Sequence, residues 1–212
     1  MAARSLAPTK TNLMSLRQEL EFAKLGHELL DQKRNILVIE LLNLVDQAVD
    51  YEQRVDAALA DAYHDEEEAT LRMGRLGLHS VGGAVDIDAE MAITQRRVMG
   101  VRLPVVDTSF TEHPPYFSPT GTSFWADAAL VRFREALELI GKLAELKVSI
   151  VRLATEVKKT IRKVNALEKI AIPELKESAK VIQERLEENE RDMFVLMKMV
   201  KSRLEGKKGA VS

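Results

Sequence analysis

Histidines and carboxylates at helical spacing are the residues here with reach for chemistry, and they are few. His64 and Glu68 stand four positions apart, which on a helix brings an imidazole and a carboxylate within reach of one cation. They lie in the acidic run Asp65–Glu68, however, and a solvated helix face is the stronger reading of such a run. His27, His79 and His113 are scattered, and no Ser, His and Asp set converges by spacing. Gly74, Gly77, Gly82 and Gly83 crowd together, but no Lys-Ser or Lys-Thr pair follows them into a helix, so a phosphate loop is excluded. The chain has no cysteine, which removes disulfides, thiolate metal sites and a cysteine nucleophile. The expectation is no catalytic residue, no cofactor and no metal.

Composition narrows the remaining classes. The 212 residues carry 31 Lys+Arg against 33 Asp+Glu, a formal net charge of -2, which argues against a surface devoted to nucleic acid or anionic lipid. The densest apolar stretch, Ile36–Val45, is interrupted by Glu40 and Asn43 and falls short of the roughly 18–20 residues a membrane span needs. The first ten residues are polar and contain Pro8, so no signal-peptide core is present. No nucleic-acid partner and no direct membrane insertion are expected.

Glycine and proline show where the long elements lie. Between Leu13 and Met73 only Gly26 interrupts, and between Phe124 and Glu205 only Gly141 and Pro173; Ala, Leu, Glu, Lys and Arg fill both stretches, which favours helix. Stepping by three and four gives Leu13, Leu16, Leu20, Ala23, His27, Leu30, Arg34, Leu37, Leu41, Leu44, Ala48, Tyr51, Val55, Ala58 and Ala62, all apolar except His27 and Arg34. Such a 3.5-residue period defines a coiled-coil seam. His27 and Arg34, with Asn189 on the second helix, read as register-setting polar positions. A second stripe, Leu29, Ile36, Ile39, Leu42, Val45 and Val49, calls for more than one neighbour. The C-terminal stretch continues the pattern from Val157 through Ile161, Val164, Ala171, Leu175, Ala179, Ile182, Leu186, Met193, Leu196 and Val200 to Leu204, with a kink expected at Pro173. Thr11 or Asn12 is the expected N-cap of the first helix.

The fold class is therefore mainly α: a long antiparallel two-helix coiled coil from the N- and C-terminal segments, with a small middle segment containing a short β-hairpin. The divisions are a basic tail 1–10, a helix 11–73, a middle segment 74–123, a helix 124–205 and a basic tail 206–212. In the middle, the alternation at Ala84–Ile87 and the run Val98–Val106 read as two short strands, Pro104 marking an edge. With the helix ends flush, Leu13 faces Val200–Leu204, Leu41 faces Ile172 and Ala62 faces Val151. That arrangement gathers Arg4, Lys10, Lys198, Lys201, Arg203, Lys207 and Lys208 at one basic tip. The Met cluster Met193, Met197 and Met199 reads as helix packing.

Several runs resemble one known family. Arg162 to Leu175, reading Arg-Lys-Val-Asn-Ala-Leu-Glu-Lys-Ile-Ala-Ile-Pro-Glu-Leu, with Leu186 to Arg191, is similar to the D subunit of the V-type and archaeal A-type rotary ATPases. The opening Pro8 to Leu13, the run Ala23 to Arg34 and the run Val98 to Pro104 resemble the same family. The resemblance implies a non-catalytic central-stalk rotor shaft, cytoplasmic and peripheral to the membrane through its complex. It implies as partners the A and B subunits of the catalytic hexamer, the small F subunit and the funnel-like subunit capping the membrane ring. On that basis Lys10, Arg17, Lys198, Lys201 and Arg203 are expected to meet the catalytic head. Leu37, Leu41, Leu44, Val164, Asn165, Leu167, Ile172 and Pro173 are expected to form the shaft core, and Val98, Met99, Gly100, Val101, Leu103 and Pro104 the foot. A coiled-coil tether without a motor and an arm binding nucleic acid through the basic tip are the competing readings.

Overall fold

In a computed structural model of the chain, the structure describes residues 7–112, 115–118 and 120–208. Arg4, His113 and the tail beyond 208 lie outside them, as do the side chains of Leu204, Lys207 and Lys208. Helix α1 (Lys10–Ala84), broken by a kink at Gly74 (φ 72, ψ 159), is followed by strands β1 (Ile87–Val98) and β2 (Val101–Glu112), helix α2 (Phe124–Ala166), a π turn (Leu167–Ala171) and helix α3 (Ile172–Lys208). The mainly helical class with a central antiparallel hairpin is the one expected from the sequence.

The chain forms two compact units, residues 1–34 with 159–212 and residues 35–158. In the first, α1 begins at a cap slightly earlier than expected: the Asn12 N–H donates to Thr9 Oγ1 at 3.2 Å and Asn12 Nδ2 donates to the Ala7 carbonyl at 2.8 Å. Thr9 is thus the N-cap and Asn12 the third helical residue. Leu16 and Ala23 are buried from α1, and Val164, Ser178 and Ile182 from the returning helix. Just before Pro173, where a kink is expected, the helix widens into the π turn, and the Ile172 N–H reaches back to the Leu167 carbonyl. Proline offers no N–H, and its ring crowds the carbonyl four residues back, so the helix absorbs the misfit in one widened turn.

The second unit holds the main core. Leu37, Leu44, Ala48 and Val55 of α1 meet Leu143, Leu146, Leu153 and Val157 of α2, with Leu103 of β2 among them. Toward the other end of this helix pair, the buried positions become Ala62, Ala69, Ala126, Ala129 and Ala136, small enough to let two backbones approach closely. The strands are longer than expected, and the first begins later. They run in register from Ile87↔Glu112 to Val98↔Val101, so the run Val98–Val106 is not one strand but the turn and the first half of β2. Met99 (φ 48) and Gly100 (φ 84) close the hairpin, both at positive φ as a two-residue turn of matching twist requires.

β2 is fastened to α2 by its backbone. Glu145 Oε2 accepts from the Val106 N–H at 2.9 Å, Lys142 Nζ donates to the Val106 carbonyl at 2.6 Å, and Arg152 donates to the Arg102 carbonyl at 3.0 Å. Gly141 makes the approach possible: a Cβ there would stand 2.8 Å from Thr108 Oγ1 and 3.9 Å from Val106 Cγ1. Gly141→Ala sets a helix-propensity gain of roughly 1 kcal/mol against a Thr108 rotamer change, and is expected to be near neutral. Gly141→Val forces the strand away and is expected to cost about 1–3 kcal/mol. Urea denaturation of both variants checks this; equal stabilities would show that the close approach is not constraining.

Candidate functional site

The apolar seam of α1 lies where its spacing puts it, since each of the fifteen positions from Leu13 to Ala62 is buried or half-buried. The register does not. Lys10 Nζ lies 2.8 Å from Glu190 Oε1 and Arg17 donates to Gln183 Oε1 at 2.9 Å, so Leu13 does not face Val200–Leu204. In the second unit Lys147 meets Glu52 at 2.8 Å and Arg132 meets Asp61 at 3.1 Å, so Ala62 does not face Val151. Relative to flush ends, α3 is shifted and its last turns run on beyond the contact at Lys10.

That overhang is apolar on all sides. Met193, Phe194, Val195, Leu196, Met197, Met199 and Val200 are each more than half exposed, and Asn189, expected in the seam, faces solvent. The methionines expected in packing are likewise at the surface. Lys198, Lys201 and Arg203 share this segment and are exposed, Lys198 lying 6.0 Å from the centre of the Phe194 ring. Lys10 and Arg17 are held farther along by Glu190 and Gln183, so the five residues assigned to the head divide into two sets.

The shaft and foot residues are placed as follows. Leu37, Leu44 and Val164 are buried, and Leu41 packs against the main core. Leu167 and Ile172 are half-buried at the π turn, whereas Asn165 and Pro173 are exposed and belong to no core. Of the foot residues, Leu103 and Pro104 are buried and Val98 and Val101 pack on the core, leaving Met99 and Gly100 at the surface. The stripe Leu29, Ile36, Ile39, Leu42, Val45 and Val49 is exposed.

One polar centre escapes the sequence reading. The run Asp65–Glu68 reads as solvated, yet Asp65 is 2% exposed. Arg132 Nε lies 2.8 Å from Asp65 Oδ2 while another guanidinium nitrogen holds Asp61. The N–H is not aimed along the Asp65 line, so the attraction is between charges rather than an aligned hydrogen bond. The spacing carries the signal for it, because Ala58, Ala62, Asp65 and Ala69 continue the 3-4 seam. A second feature of the same unit is an open cleft of about 580 Å³ lined by Leu78, Val81, Phe117, Leu130 and Phe133 with His79 among them. Among the described residues no group of three or more His, Asp and Glu is arranged to hold a metal ion, and no helix is long and apolar enough to cross a membrane.

The two members of the exposed pair Lys10–Glu190 are expected to titrate with opposite shifts. Their hydrogen bond, and secondarily their opposite charges, hold the Glu190 carboxyl below its ordinary value and raise Lys10 above its own. Glu190's contribution to stability is therefore present above the unfolded carboxylate value and lost as pH falls through the folded one. Lys10's is present below the unfolded lysine value and lost as pH rises through the folded one. Full solvent exposure keeps both contributions small. Carboxyl NMR titration should find Glu190 moved upward in Lys10→Met; an unmoved titration would dissolve the pair.

A chain whose polar groups pin helices and a hairpin together, and whose helix end leaves an apolar surface open, has the features of a structural component of a larger assembly. Comparison with known proteins makes this specific. The family of ATP synthase D subunits matches residues 12–202. The chain is 34% identical over 203 residues to the D subunit of the A-type ATP synthase of Thermococcus sibiricus, covering 94% of this chain and 95% of that one. It is 32% identical over 203 residues to the protein of the same name from Pyrococcus furiosus, covering 94% and 95%. With the D subunit of the V-type ATP synthase of Thermotoga neapolitana it shares 34% identity over 200 residues, 94% of this chain and 98% of that one. The chain belongs to the family of ATP synthase D subunits, and is thus a component of an A/V-type ATP synthase and a member of a multi-subunit complex.

Proposed function

We propose that the chain is the non-catalytic central-stalk subunit of its ATP synthase, carrying torque between the catalytic A and B subunits and the ion-translocating ring. The observation that carries this reading is the α3 overhang, an exposed apolar helix end studded with Lys198, Lys201 and Arg203. Such an end fits a ring of subunits that encloses it: apolar side chains on every side suit a sleeve rather than a single groove, and the cations give each angular position a different set of neighbours. Lys10 and Arg17 sit farther from that end and contribute at the mouth of the sleeve. The stripe Ile36, Ile39, Leu42, Val45 and Val49 is the seat of a further partner, which we assign to the small F subunit. Met99 and Gly100, the surface part of the run Val98–Pro104, are assigned to the foot that meets the funnel-like subunit.

Single-molecule rotation tests the reading. The chain lacks cysteine, so Thr111→Cys gives one attachment point on the exposed hairpin for a bead, with the catalytic head fixed to glass. ATP is expected to drive stepwise rotation in one direction. A bead that only diffuses while ATP is hydrolysed would leave the chain a static tether.

A further inference from the structure

The two edges of the hairpin are treated differently. The closing pair Val98↔Val101 around the two-residue turn is hydrogen-bonded, and the alternation of an antiparallel ladder then fixes which backbone groups point outward. On β2 these are Arg102, Pro104, Val106, Thr108 and Phe110. Arg152 takes the Arg102 carbonyl, Pro104 has no N–H to offer, and Glu145 and Lys142 take both groups of Val106. From Arg102 to Val106 that edge is closed to another strand. On β1 the outward groups belong to Ala89, Met91, Ile93, Gln95 and Arg97, and among the described residues no side chain or strand covers them.

β1 has twelve residues, an edge of about 40 Å at the rise of an extended chain. Its charge is segregated along its length, Asp88 and Glu90 in the first half, Arg96 and Arg97 at the end, and Met91 and Ile93 between them are 60% and 66% exposed.

We infer that the open edge of β1 receives an extended segment of a neighbouring subunit of the same complex, which adds a third strand beside β1. The segment carries basic side chains opposite Asp88 and Glu90, acidic ones opposite Arg96 and Arg97, and apolar ones against Met91 and Ile93. Membership in a multi-subunit complex supplies the neighbour, and the charge segregation fixes the segment's orientation and register, because reversing it would bring like charges together. The inference rests on membership in the complex and not on rotation.

Residue-resolved amide exchange on the free chain and on the purified complex tests it. In the complex, the outward amides of Ala89, Met91, Ile93, Gln95 and Arg97 are expected to slow by at least about tenfold, with Ala92 and Thr94, already bonded to β2, changing little. Two variants probe the same edge. Ile93→Pro removes one outward N–H without touching the β1–β2 ladder, and Asp88→Lys with Glu90→Lys reverses the acidic end while keeping every backbone group. Each is expected to abolish the added protection in the complex. Outward amides that exchange equally fast in both states would overturn the proposal. So would protection that grows with concentration in the free chain, which would mean that a second copy fills the edge. Loss of the A and B subunits from the purified complex would instead count against the stalk reading.

Discussion

Glutamine at Met193, Leu196, Met197 and Val200 is expected to leave the isolated chain folded while weakening its capture by the catalytic subunits on the order of 100-fold or more. Each of the four side chains is 55–61% exposed, so the free chain loses little by the exchange, and glutamine preserves helix propensity. Stability should stay within about 0.5 kcal/mol, as for other surface substitutions. In a sleeve the same side chains would be buried, at about 1.5–3 kcal/mol apiece; half of the summed amount already exceeds about 2.7 kcal/mol, a factor of roughly 100. Capture by a purified A/B assembly, read beside thermal melts of the free variant, separates the two effects. Capture within about twofold of the parent would take the overhang out of the interface. Reversing Lys198, Lys201 and Arg203 to Glu is expected to act more weakly and chiefly at low salt, because exposed charges are screened.

The largest effect on the fold is expected from Arg132→Met. Asp65 is buried with its charge answered by that guanidinium, and a buried carboxylate without a counter-charge costs about 3 kcal/mol or more. Arg132 is partly solvated, which softens the loss without removing it, since solvent does not reach Asp65 in the folded chain. The double variant Asp65→Leu/Arg132→Met is expected to recover most of the stability, because an apolar pair of similar size needs no compensation. Asp61→Asn, at an exposed partner of the same arginine, should cost under about 1 kcal/mol. Urea denaturation of the four chains decides it; an Arg132→Met chain as stable as the parent would mean that the guanidinium does not stabilise the buried Asp65 side chain.

The same two regions show what can be read from the residues and what cannot. The seam from Leu13 to Ala62 is fully legible because a 3.5-residue apolar period survives any choice of partner. The register is not, for the same reason: sliding one helix by whole heptads keeps apolar against apolar. Flush ends and the observed contact of Lys10 with Glu190 differ by roughly two heptads. Only individual polar pairs break that degeneracy, and long flexible Lys and Glu side chains give no advance sign of which ones meet. β1 escapes notice over most of its length because period-two alternation arises from burying one face, and its residues from Asp88 to Arg97 are exposed on both. Asp65 is hidden by its neighbours: Glu66, Glu67 and Glu68 make an acidic run of it, although the seam spacing places it inward. The overhang reads as seam because Met193, Leu196 and Val200 keep the spacing after the partner helix has ended.

The π turn at Leu167–Ala171 leaves a tolerance for change in chain length at one place. A π turn accommodates one residue more than an α turn in nearly the same rotation, so the helix before it and the helix after it keep the facing directions they would have with that residue absent. Deleting a single residue from within the turn should relax it to α geometry and leave Ser178 and Ile182 directed inward, as they are now. The same deletion elsewhere in α3 would swing every residue beyond it by about 100° and carry the seam away from Leu16 and Ala23. Length variation of one residue among related chains is therefore expected to collect at this turn, where the rotational phase of the helix does not record it.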